Sequence, residues 1–372
     1  MKQPITPYAI SSILILTTLT LGFQCMKPAP GEKDPKPSSG LENEMQIESE
    51  DRLMMAEIFT LDIPLGLDPE LQYIPEDNPL TAEKIELGKM LYFDKRLSAD
   101  NTVSCASCHH PKFGFTDGMS VSTGIDGQKR GRSAPTVINR LFSVEQFWDG
   151  RAEDLEAQAL GPIQNPIEMG NTLEAVVDKL NAIEGYRMKF KSVFGTEVSS
   201  EGIAKAIASF ERTVLSGNSP YDRFKAGDDG ALSESAKRGL DLFENENETN
   251  CVTCHVGFNF TDENYRNIGV GMDKENPDLG RHDLTKDDLD RGAFKTPTLR
   301  EIAMTAPYMH DGSQKTLLEV INYYDKGGTP NSHLSTDMKK LNLSEQDKAD
   351  LVEFLESLTG EMAEFEEPDL PE

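Results

Sequence analysis

Two short runs, Cys105-Ala106-Ser107-Cys108-His109 and Cys251-Val252-Thr253-Cys254-His255, hold residues whose types and spacing could do chemistry together. In each, two thiols stand one helical turn apart and an imidazole follows at once. That spacing suits two thioether bonds to the vinyl groups of one porphyrin, with the imidazole falling beneath the iron. The pattern predicts two covalently bound haem c groups, attached through Cys105, Cys108, Cys251 and Cys254, with His109 and His255 as proximal ligands. Two other chemistries use paired cysteines. A structural zinc site would take all four thiolates and leave the histidines incidental, and a redox dithiol has no use for a flanking histidine twice. Cys25 stands alone, so the five cysteines do not read as a disulfide framework.

The second axial position decides what such irons do, because a filled site moves electrons whereas an open one binds peroxide or oxygen. Beyond the proximal pair the chain offers His110, His282, His310 and His333. His110 follows His109 too closely to reach the opposite haem face. Met304, Met309 and Met338 fall in the second half, but with 14 methionines in the chain any one of them is core filler by default.

The elements that must present the two motifs share a plan. Leu80-Thr81 leads a helical pattern through Gly88, Leu91 and Tyr92 to Cys105, and Leu232-Ser233 leads another through Gly239, Leu242 and Phe243 to Cys251. Thr81 and Ser233 suit helix N-caps, and each glycine gives its helix a smooth, packable face. Between the copies, Leu173, Val176, Val177 and Leu180 form one amphipathic stripe, and Ile203, Ile207, Phe210 and Val214 form another. Asn218-Ser219-Pro220 and Ala226 to Gly230 break the pattern, which places a domain boundary there: 61–229 and 230–360. A last helix starts at Ser344, and residues 361–372 read as an acidic, proline-containing tail. Sustained period-two strands are absent, so the fold class is mainly α.

Ahead of these domains, Ile10 to Phe23 is apolar but too short and threonine-rich to span a membrane, and 1–24 reads as a secretory signal. Cys25 closes the run either as the lipid-bearing cysteine of a lipoprotein or as a thiol left beside an ordinary cleaved signal. Residues 25–60, rich in Pro, Gly and Ser, suit a flexible tether to a periplasmic body. With 64 acidic against 37 basic residues, the net charge of −27 argues against nucleic acid as a partner and suits a basic protein.

The two motifs, joined to Ser133-Ala134-Pro135-Thr136-Val137-Ile138-Asn139, Gln146-Phe147-Trp148-Asp149-Gly150-Arg151-Ala152 and Thr305-Ala306-Pro307-Tyr308-Met309-His310-Asp311-Gly312, make a chain that resembles the bacterial dihaem cytochrome c peroxidases and the related MauG-type enzymes. The resemblance runs from about Ile63 to Gly360. It implies two cytochrome c-like haem domains packed face to face. The haem on His109 would be the peroxide site, and the haem on His255 would take electrons from a small donor protein such as a cytochrome c. Trp148, the single tryptophan, matches the residue between the haems. A lone tryptophan is a core residue by default, whereas here its indole would relay electrons. Glu168 and Gln158 match the distal acid and its neighbouring amide. At a peroxide site the carboxylate takes the proton from one oxygen and returns it to the other. Homodimers are common among similar peroxidases.

Three positions depart from the family pattern. Ile125 stands where a histidine blocks the peroxide haem of typical relatives, so that haem is expected to be open without reductive activation. Tyr324 stands where many relatives carry an axial methionine and MauG-type enzymes a tyrosine, whose phenolate lowers the haem potential. Its other reading is an aromatic on a helix face. Ser133 replaces the asparagine of an interhaem calcium site whose other ligands match Thr305 and Pro307, and a serine hydroxyl is the shorter, weaker ligand. The leading function is reduction of hydrogen peroxide to water. A MauG-type oxidase acting on residues of a partner protein comes second, and a plain electron carrier with both irons saturated is the third class.

Overall fold

The computed structural model describes residues 59–372; the signal at 1–24, Cys25 and nearly all of the tether lie outside the described residues. The described chain is helical, and its strands are two-residue pairs, Ser216–Gly217 with Glu361–Met362 and Tyr265–Arg266 with Phe294–Lys295. Two apolar cores organise it. One gathers Leu87, Leu91, Tyr92, Phe190, Ile203, Ile207 and Phe210, and the other gathers Leu240, Phe243, Phe260, Ile321, Leu351 and Phe354.

Each core is built on one helix crossing, and the sequence repeat accounts for both. Thr81 caps Ala82–Phe93 by accepting from the Lys84 amide at 3.3 Å, and Ser233 caps Glu234–Glu244 by accepting from the Ala236 amide at 3.0 Å. Ala82–Phe93 crosses Ser200–Glu211 at Gly88, where an added Cβ would lie 1.8 Å from the Ala206 carbonyl oxygen. Glu234–Glu244 crosses Glu345–Glu356 at Gly239, where a Cβ would lie 2.0 Å from the Asp350 carbonyl oxygen. No side chain fits either crossing, so the backbones meet directly. The amphipathic stripes bury as their period requires, Val176 and Leu180 from Leu173–Asn181 and Ile203, Ile207 and Phe210 from Ser200–Glu211.

Two segments sit differently from the sequence reading. The helix Pro220–Lys225, assigned above to the first domain, packs Tyr221 and Phe224 on the second core, so the packing changes hands near Ser216–Gly217. The tail at 361–372 is a strap. Met362 and Phe365 pack on the first core, and Phe365 meets Phe115 and Phe210 edge-on at 5.2 and 5.8 Å. Its far end is held where Arg96 donates to the Pro371 carbonyl at 3.0 Å and the Gly185 amide to the Glu372 carbonyl at 3.1 Å. Two apolar side chains among its acids decide where it lies.

Candidate active site

One continuous cavity, part of it open to solvent, runs between the two cores and reaches both cysteine motifs. His109 and His255 both line it. The Nδ1 of His109 lies 3.3 Å from the Phe115 carbonyl oxygen, and that of His255 lies 3.0 Å from the Phe260 carbonyl oxygen. A proton held on Nδ1 by a carbonyl leaves Nε2 as the lone-pair nitrogen. Burial keeps both rings neutral, pushing His109 down to about 4 and lowering His255. Cys105–Cys108 forms a single helical turn and Cys251–Thr253 a tighter one, so each thiol pair faces one way. The four thiols are unpaired, and burial raises all of them, Cys254 to about 11. Among the described residues no group of three or more His, Cys, Asp or Glu side chains converges on a point, which leaves the four-thiolate zinc reading without a site. A largely apolar cavity lined by Cys251, Cys254 and both oriented imidazoles, with Cys105 and Cys108 in the turn that precedes His109, fits two haem c groups.

In the half of the cavity next to His109, the helix Leu155–Gln164, capped by Asp154, presents Leu155, Gln158 and Pro162. The Gln158 side chain makes no hydrogen bond among the described residues. Apart from His109, the first-domain lining contains no second imidazole, thioether, phenol or amine. The segment Ser122 to Gln128 cannot supply one, because Ile125 is buried in the first core with its Cδ1 where a Gly170 Cβ would be, and its amide donates to the Glu168 carbonyl at 2.9 Å. Glu168 lies behind the lining. It is 6% exposed, accepts from the Asn165 Nδ2 at 2.8 Å and pairs at 2.8 Å with Arg130, and the guanidinium of Arg130 reaches the cavity.

Trp148 stands where the two halves meet. Its Nε1 donates to the Ser133 carbonyl at 3.0 Å, and its own carbonyl accepts from the Lys295 amide of the second domain at 2.8 Å. Ser133 in turn donates through Oγ to the Met309 carbonyl at 2.9 Å and through its amide to the His310 carbonyl at 2.8 Å. Thr305 and Pro307 line the cavity here, and their carbonyl oxygens accept no hydrogen bond among the described residues. The nearby acids are already engaged, Asp149 by Arg132 and Arg151, and Asp278 by Arg132.

In the other half, Tyr324 projects from Leu317–Asp325 into the lining, and burial beside Cys251 and Cys254 raises its phenol well above the usual range. Met338 also lines this half, whereas Met304 is 47% exposed. His310 is stacked on Phe294 at 3.6 Å, while His110 is exposed and His282 is half-buried with its Nδ1 2.8 Å from the Asp287 carbonyl oxygen. The sequence reading missed Arg130, Glu211, Arg266 and Asp337, all of which line the cavity. None belongs to a spaced motif. Only the fold brings them to the site.

A family model described as di-haem cytochrome c peroxidase matches residues 82–230, and one described as cytochrome c matches residues 236–359. The chain is 42% identical over 307 residues to the methylamine utilization protein MauG of Methylorubrum extorquens, covering 82% of this chain and 86% of that one. It is 39% identical over 310 residues to the cytochrome c551 peroxidase of Nitrosomonas europaea, covering 82% and 89%. Among solved structures, a MauG-like protein associated with microbial copper homeostasis superposes with a TM-score of 0.75 at 35% identity, covering 82% of this chain and 96% of that one.

Proposed function

The chain belongs to the di-haem cytochrome c peroxidase family, peroxidase-type oxidoreductases with two covalently bound haem c groups, and we propose that it reduces hydrogen peroxide to water in the periplasm with electrons from a small redox protein such as a cytochrome c. The observation that carries this reading is that the first-domain lining around His109 offers no second imidazole, thioether, phenol or amine to an iron. A haem held there by Cys105, Cys108 and His109 would supply the redox-active iron that peroxide reduction requires. The protein does the rest. The unpartnered amide of Gln158 holds the peroxide by hydrogen bonds, and Leu155, Phe147 and Pro162 keep bulk water away from it. Glu168, behind the lining and aligned by Arg130 and Asn165, takes the proton of one peroxide oxygen through a water at Arg130 and returns it to the other, so that the second oxygen leaves as water. Trp148, bonded to both domains, is the relay between the haems. In this reading the carbonyl oxygens of Thr305 and Pro307, with Ser133, would hold calcium, Cys25 carries a lipid anchor, and the enzyme works as a homodimer.

Mixing the fully oxidised, never-reduced holoprotein with one equivalent of hydrogen peroxide tests the open site. The Soret band is expected to shift in the first stopped-flow phase. A spectrum that waits for reduction of one haem would mean a sixth ligand that this lining does not contain, and the reading would fall.

The cavity-facing phenol of Tyr324 favours a second reading for the same site, a MauG-type enzyme that turns peroxide's oxidising power on residues of a partner protein. There the Tyr324 phenol would help hold the second haem, and an anionic oxygen at that position would stabilise its oxidised iron. Tyr324→Phe is then expected to change the oxidised spectrum and raise the potential of that haem alone. An unchanged spectrum would remove Tyr324 from that role and leave it to Met338, which lines the same half of the cavity.

A further inference from the structure

The first half of the cavity holds a carboxyl that the peroxide chemistry does not use. Glu211 ends the helix Ser200–Glu211, is 5% exposed and lines the cavity beside Leu155 and Gln158. Its side chain makes no hydrogen bond or ion pair among the described residues, although two arginines stand near it. Both are engaged elsewhere. Arg212 holds Glu156 with two bonds of 2.6 and 2.9 Å and reaches the Tyr73 carbonyl at 3.2 Å. Arg140 donates to the Gln146 Oε1 at 2.8 Å and the Glu145 carbonyl at 3.0 Å, and lies 3.7 Å from Glu263. From the other packed elements it is faced by Tyr92, whose hydroxyl donates to the His109 carbonyl at 2.7 Å, and by the buried thiol of Cys105.

We propose that Glu211 is the redox-linked proton site of the first haem: as that haem gives one electron to the oxidant, the Glu211 carboxyl releases one proton to solvent, and reduction takes both back. This rests on haem attachment at Cys105 and Cys108. The physical basis is that a carboxyl without a donor or a free cation is costly to ionise in an apolar cavity. Burial pushes Glu211 up to about 8, with Arg212 and Arg140 pulling it down less strongly and Glu156 adding to the rise. The group is therefore neutral at neutral pH. Loss of an electron leaves a positive charge on the haem, which favours the carboxylate and lowers the proton affinity of Glu211. The reduced state thus binds more protons, and the haem potential must fall as pH rises through the titration of Glu211.

Spectroelectrochemical titration of the holoprotein without peroxide, from about pH 6 to about pH 9, tests this independently of turnover, so failure of the peroxidase reading would not mimic its failure. The first haem's potential is expected to fall with pH in the wild type and to stay level in Glu211→Gln, while the second haem behaves alike in both. Glu211→Asp keeps a titrating carboxyl, so it is expected to retain a slope at a displaced pH, and it serves where the glutamine variant fails to take up haem. A level wild-type potential, a slope that persists in Glu211→Gln, or an unmoved slope in Glu211→Asp overturns the proposal.

Discussion

Glutamine in place of Glu168 is expected to slow peroxide turnover by about 100- to 10,000-fold, the span that follows loss of a positioned proton-transfer group. The substitution preserves volume, and its carbonyl oxygen still accepts from the Asn165 Nδ2, now 2.8 Å from Glu168. What it removes is the basic oxygen and the charge opposite Arg130. Peroxide binding is assigned to Gln158, which lines the cavity from the helix Leu155–Gln164, whereas Glu168 lies in the turn that follows it, so kcat falls while KM for peroxide stays near its wild-type value. Steady-state consumption of peroxide with a reduced donor reads both constants. Turnover within a few-fold of wild type would remove Glu168 from the mechanism and leave proton transfer to water held by Arg130 and Gln158. A matched rise in KM would assign Glu168 to binding instead. Neither outcome touches Glu211, whose test is made without substrate.

The difference between Glu168 and Glu211 shows what a sequence exposes and what it hides. Local chemistry was legible: two thiols one turn apart before an imidazole, a threonine or serine ahead of a helix, and a glycine where helices cross all act over a few residues. Ile125 was legible as a missing ligand, and the structure adds the reason it stays away, since its side chain fills the hollow over Gly170. Glu211 was not legible, because its isolation depends on Arg212 and Arg140 being engaged by Glu156, Gln146 and Glu145, partners 5 to 56 residues distant from them in sequence. Arg130 was hidden for the same reason. Composition gives 361–372 as an acidic tail but does not show where Met362 and Phe365 find apolar neighbours. Pro220–Lys225 sits in the sequence beside one domain and packs on the other, because Tyr221 meets Phe260 and Phe354 at 5.1 and 5.9 Å.

Asp222→Asn is expected to lower stability by about 3–5 kcal/mol, the cost of leaving one member of a buried ion pair without its countercharge. The Asp222 and Arg300 side chains are each 1% exposed and meet at 2.5 Å. Asp222 Oδ2 also accepts from the Ser219 amide and hydroxyl at 2.9 and 2.8 Å, bonds that an asparagine oxygen can keep. The guanidinium of Arg300 is the group that suffers. It donates through Nε and Nη2 to the Phe258 carbonyl at 2.9 and 2.6 Å, reaches the Gly66 carbonyl at 3.0 Å and lies 5.3 Å from the centre of the Phe260 ring. Glycine is required at 66, where φ is +91° and a Cβ would lie 2.0 Å from the Asp222 Oδ1. Through Phe258 and Phe260 the pair therefore holds the segment whose carbonyl accepts from the His255 Nδ1 at 3.0 Å. Loosening that carbonyl makes the imidazole a weaker donor to iron, so the second haem's potential rises while the first haem's stays. Thermal unfolding and separate potentials for the two haems read both effects, at about 2–4 °C per kcal/mol for a unit of this size. A lowered melting temperature with an unmoved second haem would show that the 258–260 segment holds its place without Arg300, and that the ion pair acts on stability alone.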